Sequence, residues 1–244
     1  MRFEEAASSP EGFIDYIYSL DHSYEDEIVQ CWRIDEKYIN ILKDFPAEEV
    51  LSAFSRTLER TKSRRMIDLI FELCARVLGK KGADFVRARW DRYHKDHFSY
   101  GLSLAAFRCL PHEEGFRLIA DALAKMECSE LSRYRSCLIW FKTSWALDWI
   151  EENIRTPVDF VWGAIAAESR FNWHRARKWL DSGRPLSIVA LDALSLCLQR
   201  RSMGKRHDFR MPDIDELVST LRNYLKHDDT PGIRERISYI ISLV

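Results

Sequence analysis

Arg184-Pro185-Leu186-Ser187-Ile188-Val189-Ala190-Leu191-Asp192-Ala193-Leu194-Ser195-Leu196-Cys197-Leu198-Gln199 is the stretch on which the reading of this chain turns. Within it Leu186, Val189, Ala190, Ala193, Leu194, Cys197 and Leu198 recur at the three- and four-residue steps of one helix face. Ile188 and Leu191 widen that stripe, so the helix is expected to be covered from two sides, with Ser187, Ser195 and Gln199 left for water. Pro185 suits the first helical turn, where its missing N–H costs nothing. Asp192 lies inside the apolar run and needs a partner if it is buried. A neighbouring backbone group or an Arg is the expected partner, and a catalytic role is not.

The same unit extends in both directions. Upstream, Thr156-Pro157 opens one apolar helix, and Trp173 and Trp179 sit on a second. Nearer the N-terminus, helices are predicted over 11–20, 24–45, 47–60, 66–78, 83–94 and 99–110, with another from Pro111. Ser63 is placed to cap one of them, and Gly79-Lys80-Lys81-Gly82 reads as a stop and turn. A long helix over 131–154 carries a bend near Thr143-Ser144. The last two helices begin at Pro212, marked by Ile214, Leu217, Val218, Leu221 and Leu225, and at Pro231. No strand-like alternation and no Asn-Gly or Asp-Gly hairpin turn occurs, so the expected class is all-α.

A short loop, a proline at or just inside a helix start and an apolar helix recur at Pro46, Pro111, Pro157, Pro185, Pro212 and Pro231. Together with the run Ile188-Val189-Ala190-Leu191-Asp192-Ala193-Leu194, this pattern resembles the HEAT and armadillo class of α-helical repeats over residues 47–244. The resemblance implies an irregular α-solenoid in a single domain, with residues 1–46 as an acidic helical cap on the repeat body. A compact, non-repeating helical bundle is the alternative.

With 46% hydrophobic and 31% charged residues, the chain has the composition of a folded soluble protein, not a disordered one. Lys142 and Asp148 interrupt the most apolar stretch before it reaches the roughly 18 residues of a membrane span. Met1-Arg2-Phe3-Glu4-Glu5 lacks the apolar core of a secretory signal, and a cytoplasmic, non-membrane protein is expected. Cys31, Cys74, Cys109, Cys128, Cys137 and Cys197 form no Cys-x-x-Cys pair and are expected as free thiols. Net charge is −1, but residues 1–50 hold 13 acidic against 4 basic side chains, and residues 51–110 hold 13 basic against 6 acidic. Either the acidic segment faces a basic partner, or the two segments lie against each other.

Catalytic signatures are missing: there is no nucleophile elbow, no phosphate loop and no metalloprotease motif, and no cofactor is implied. His94-x-x-His97 and Cys109-x-x-His112 have ligand-like spacing, yet they read as surface and helix-end residues more than as a metal site. Six of the eight tryptophans fall between Trp140 and Trp179. They are read first as gap-fillers between helices, and second as a partner-binding groove of Trp145, Trp149, Trp173 and Trp179 beside Arg170, Arg175, Arg177 and Lys178. Glu25, Asp26, Glu27, Asp35 and Glu36 are the candidates for steering a basic protein partner. Three basic clusters, at Arg56 to Arg65, Arg87 to Lys95 and Arg200 to Arg210, offer a second class of partner, nucleic acid. HEAT-like DNA glycosylases bind duplex DNA on such a concave basic surface. The leading expectation is a non-enzymatic protein-binding module, such as an inhibitor or immunity protein that neutralises a toxin.

Overall fold

A computed structural model describes residues 3–20, 34–154, 160–205 and 209–244, apart from the side chain of Cys128. Among the described residues it is all-α, with no strand. Two compact units divide between Cys137 and Leu138.

The first unit holds α1 (Phe3–Ala6), α2 (Pro10–Leu20), α3 (Glu36–Lys43), α4 (Ala47–Arg60), α5 (Arg64–Leu73), α6 (Ala83–Asp96), α7 (Tyr100–Cys109), α8 (His112–Leu123) and α9 (Cys128–Tyr134). The helix starts are written in the sequence. Ser63 and Ser99 accept hydrogen bonds from the N–H groups of Met66 and Leu102, while Pro46 and Pro111 hold the cap positions of α4 and α8. The helix expected over 66–78 is α-helical only to Leu73; a wider π turn, Cys74–Leu78, and a 3₁₀ turn, Gly79–Gly82, follow it. Ile34 and Asp35 are not helical, because the Asp35 carboxylate accepts from the Lys37 N–H and starts α3 at Glu36. The helix predicted over 24–45 is therefore shorter at this end, and its residues 24–33 lie outside the described part.

Alternate helices of this unit lie side by side. Glu11 to Arg56 and Asp15 to Arg60 join α2 to α4 in parallel. Phe54 on Phe85 and the Arg89 guanidinium donating to Ser55 join α4 to α6, and Arg87 grips Glu114 to join α6 to α8. A second row is formed by α5 and α7, which run parallel from Asp68 against Gly101 to Cys74 against Cys109. A Cβ on Gly101 would sit 2.2 Å from the Asp68 carbonyl oxygen, so hydrogen is the only side chain this crossing admits.

The second unit holds α10 (Trp145–Asn153), α11 (Phe160–Glu168), α12 (Trp173–Asp181), α13 (Leu186–Ser202), α14 (Ile214–Leu225) and α15 (Pro231–Ser242). The long helix expected over 131–154 is broken into α9, a 3₁₀ segment Arg135–Phe141, and α10. The break falls where Lys142 takes left-handed backbone (φ 50), next to the predicted bend. The deciding stretch forms α13, with Pro185 at its cap, and α13 is packed by α11, α12 and α15. In one row α11, α13 and α15 are parallel: Gly163 meets Asp192 and Glu168 meets Arg200, while Arg236 donates to Asp192 and Gln199 to Tyr239. In the other, α10, α12 and α14 are parallel: Asp148 and Glu151 meet Arg175 and Lys178, and Trp173 meets Glu216.

Asp192 is buried and has Arg236 for its partner, 2.8 Å away. Ser187 differs from expectation. It is buried, not solvent-facing, because Tyr224 reaches across from α14 and donates to its hydroxyl at 2.7 Å. Along α14 the buried stripe is Leu217, Leu221 and Tyr224, and Ile214 at the helix start is exposed.

Candidate functional site

The tryptophan-rich stretch is drawn into the seam between α10 and α12. Trp179 is wholly buried against Phe171, and its indole N–H donates to Glu151 at 2.6 Å. Trp149 is buried and stacks on Trp162, with ring centroids 5.6 Å apart. These two rings are buried in the core of the unit. Trp145 is exposed at the start of α10, and Trp173 is half-buried with its N–H on Glu216. Arg175 is also engaged, bridging Glu151 and Asp148.

Glu151 is the centre of this seam, receiving Arg175, Lys178 and Trp179. Burial alone would raise its pKa. The hydrogen bonds from Lys178, Arg175 and Trp179 outweigh burial and hold the carboxyl at about 2. A carboxylate locked in this way neither takes nor gives a proton near neutral pH, so it joins two helices and performs no acid or base work.

On the acidic side, Asp35 caps α3 and pairs with Lys37, and Glu36 pairs with Arg76 and Lys43. Glu25, Asp26 and Glu27 lie outside the described residues. The ligand-spaced pairs also go separate ways. His94 stacks on Trp90 and bonds its carbonyl, His97 packs on Tyr93, His112 lies over Phe107, and Cys109 faces Cys74 with sulfurs 4.0 Å apart. Among the described residues no three His, Cys, Asp or Glu side chains gather where a metal ion could be held.

Cys74, Cys109, Cys137 and Cys197 are free and buried; Cys31 and the side chain of Cys128 lie outside the described part. Burial pushes the Cys137 and Cys197 thiols up to about 12, and the contact with Cys109, reinforced by burial, pushes Cys74 up as well. Thiols in this state stay protonated and are poor nucleophiles at neutral pH.

A polar cleft of about 640 Å³ opens between α12 and α14, lined by Arg177, Asp181, Arg184, Asn223, His227 and Asp228 among others. Its cations are already matched: Arg184 forks onto Asp228 at 2.7 and 3.0 Å, and Arg177 lies 3.2 Å from Glu216. The Arg184 guanidinium holds the Asp228 carboxyl below its ordinary range. With its charges paired, the cleft offers little net attraction for an anion.

The opposite end of the same unit is different. There α11 and α13 finish, and Lys142 and Arg200 converge on Glu168 at 3.7 and 2.5 Å. Arg170, Arg201, Lys205 and Arg210 stand exposed around them, and none of the four makes an ion pair among the described residues. Met203 and Ile214 are exposed at this end too, at 62% and 51%. The basic run was visible in the sequence. The apolar pair was not, because Ile214 fits the periodic stripe of α14 and only the helix start lifts it out of the core.

No helix of the described residues is long and apolar enough to cross a membrane. No protein-family model matches the chain, and neither a curated protein nor a solved structure matches it.

Proposed function

We propose that this chain is a non-catalytic helical-repeat module, irregular and HEAT-like, that binds another protein in the cytoplasm. The observation that supports it is the row-by-row packing within each unit, in which alternate helices lie parallel and are tied by Arg–carboxylate pairs such as Arg60–Asp15, Arg87–Glu114 and Arg175–Glu151. Chains built this way present the faces and edges of their helix rows as extended binding surfaces. The buried free thiols fit a reducing compartment. Within this class, an inhibitor or immunity protein that neutralises a toxin needs only a shaped surface of complementary charge.

A second reading, a nucleic-acid-binding HEAT-like repair protein, draws on the exposed cations from Arg170 to Arg210. It is weakened by the fate of the other basic clusters: Arg56 and Arg60 pair with Glu11 and Asp15, and Arg87 pairs with Glu114 and Asp84.

Affinity capture with the purified chain, followed by mass spectrometry and reconstitution from purified components, tests the two readings together. A protein that co-elutes in fixed stoichiometry, and whose own activity falls on mixing, is the expected result. Absence of any stoichiometric protein partner, with base release from an alkylated duplex, would overturn it.

A further inference from the structure

We infer that the edge of the second unit carrying Lys142, Arg170, Arg201, Met203, Lys205, Arg210 and Ile214 is a docking surface for an acidic protein face bearing apolar side chains. The inference rests on the protein-binding reading above and names the surface and the partner's chemistry.

Three observations carry it. The first is unspent charge. Elsewhere in this unit most of the described Arg residues close on carboxylates, as Arg175 does on Glu151, Arg184 on Asp228 and Arg236 on Asp192, and Arg222 is the exception. At this edge one carboxylate, Glu168, is shared by Lys142 and Arg200, and Arg170, Arg201, Lys205 and Arg210 face solvent without an ion pair among the described residues. The helix dipole accounts for some of this, since cations are favoured at the C-terminal ends of α11 and α13. It does not account for Lys205 or Arg210, which lie beyond the last turn of α13.

The second is backbone conformation. Among the described residues the non-glycine positions with left-handed backbone are Lys142 (φ 50) and Arg170 (φ 59), and both belong to this edge. A side chain with a Cβ is disfavoured in that conformation, and glycine is usual where a helix ends so. Local cost of this kind collects at working surfaces. Here one such residue, Lys142, reaches Glu168, and the other, Arg170, follows it by two positions in the chain.

The third is apolar exposure. Met203, one of the most exposed large apolar side chains, lies between Arg201 and Lys205, and Ile214 stands at the start of α14 near half-buried Trp173. Arg, Met and Trp are the side chains that interface centres favour. The carboxylates here decide between acidic partners. Asp213 and Asp215 flank Ile214, so a phosphate backbone laid across the cations would meet two negative groups beside the apolar contact. A protein face can place an apolar side chain there and its own carboxylates over Arg201 and Lys205.

The test uses the full chain and two fluorescent probes: an acidic amphipathic peptide of Glu, Leu and Ala, and a duplex DNA of equal net charge. The wild-type chain should bind the peptide more tightly than the duplex at moderate salt. Arg201→Glu with Lys205→Glu should weaken peptide binding about tenfold or more, and Met203→Ser with Ile214→Ser several-fold. Lys80→Glu with Lys81→Glu, exposed in the first unit, should leave it unchanged. All these positions are exposed, and thermal melts confirm that each variant is folded; Arg210→Glu alone provides a milder reversal. No peptide binding, equal binding by the reversed variant, or tighter duplex binding lost in that variant would each overturn the proposal. If the peptide fails while a captured partner still co-elutes with the chain, the surface is wrong and the protein-binding reading stands. Failure of both removes that reading as well.

Discussion

Glu151 takes hydrogen bonds from Arg175, Lys178 and Trp179 and so ties α10 to α12. Its carboxyl, with an ordinary pKa of 4.5, is held at about 2 in the folded state. A depressed carboxylate stabilises the fold fully above the unfolded value and loses that contribution as pH falls through the folded one. The window here is pH 4.5 down to about 2. At 1.36 kcal/mol per unit, and discounted for solvent screening of a group that is only partly buried, the shift corresponds to about 1 to 2 kcal/mol at neutral pH. Glu151→Gln keeps an acceptor for the Trp179 indole but removes the charge facing Arg175 and Lys178. It should lower the unfolding free energy at pH 7 by about 1 to 2 kcal/mol and flatten the decline in stability between pH 4.5 and 2, both read from urea melts followed by circular dichroism. An unchanged acid limb would mean that the seam is solvated and the ion pairs are incidental. Sequence alone marked Trp179 and Arg175 as notable but could not give their shared partner, Glu151. A lone Glu followed by Glu152 on an amphipathic helix looks like a solvated face until α12 is laid beside α10.

At the level of elements, the crossing of α5 and α7 depends on Gly101, whose Cβ would stand 2.2 Å from backbone of Asp68 and 2.7 Å from its carboxylate. Backbone cannot swing aside as the end of a long side chain can. Gly101→Ala should therefore force the helices apart and destabilise the chain by about 2 kcal/mol or more, despite alanine's better helix propensity; a thermal melt at or above the wild-type value would show that the crossing is loose. Gly163 on α11 has the same role against Asp192. Periodicity read the helices well, since α4 and α13 begin where the apolar pattern and the prolines place them, and Ser63 and Ser99 cap as their side chains allow. It could not read contact between helices. A glycine inside a helical pattern is the one signal in this sequence for such a close crossing, and it says nothing of the partner. The π turn at Cys74–Leu78 was hidden for a similar reason: an extra residue in one turn leaves the apolar residues still facing inward.

Charge along the whole chain follows the same logic. The first fifty residues carry 13 acidic and 4 basic side chains, and the next sixty reverse the balance. This asymmetry reads equally as a surface that steers a basic partner or as two segments that neutralise each other. Among the described residues the second use is visible: Glu11 meets Arg56, Asp15 meets Arg60, and Glu36 meets Arg76. The Arg56 hydrogen bond holds the Glu11 carboxyl below its ordinary value. Exposed pairs of this type are individually weak and screened by salt, but three reversals at once set like charges against each other, α2 against α4 and α3 against the π turn that holds Arg76. The variant Glu11→Lys, Asp15→Lys, Glu36→Lys should melt a few degrees below wild type at low salt, with the gap closing as salt is added. An alternative in which these carboxylates serve an external partner gives a different pattern, since removing them would leave the melting temperature unchanged and alter only association. Stability measured at two salt concentrations therefore decides which job the acidic segment performs, and a melting temperature indifferent to the triple reversal would return Glu11, Asp15 and Glu36 to the list of groups that a basic partner could use.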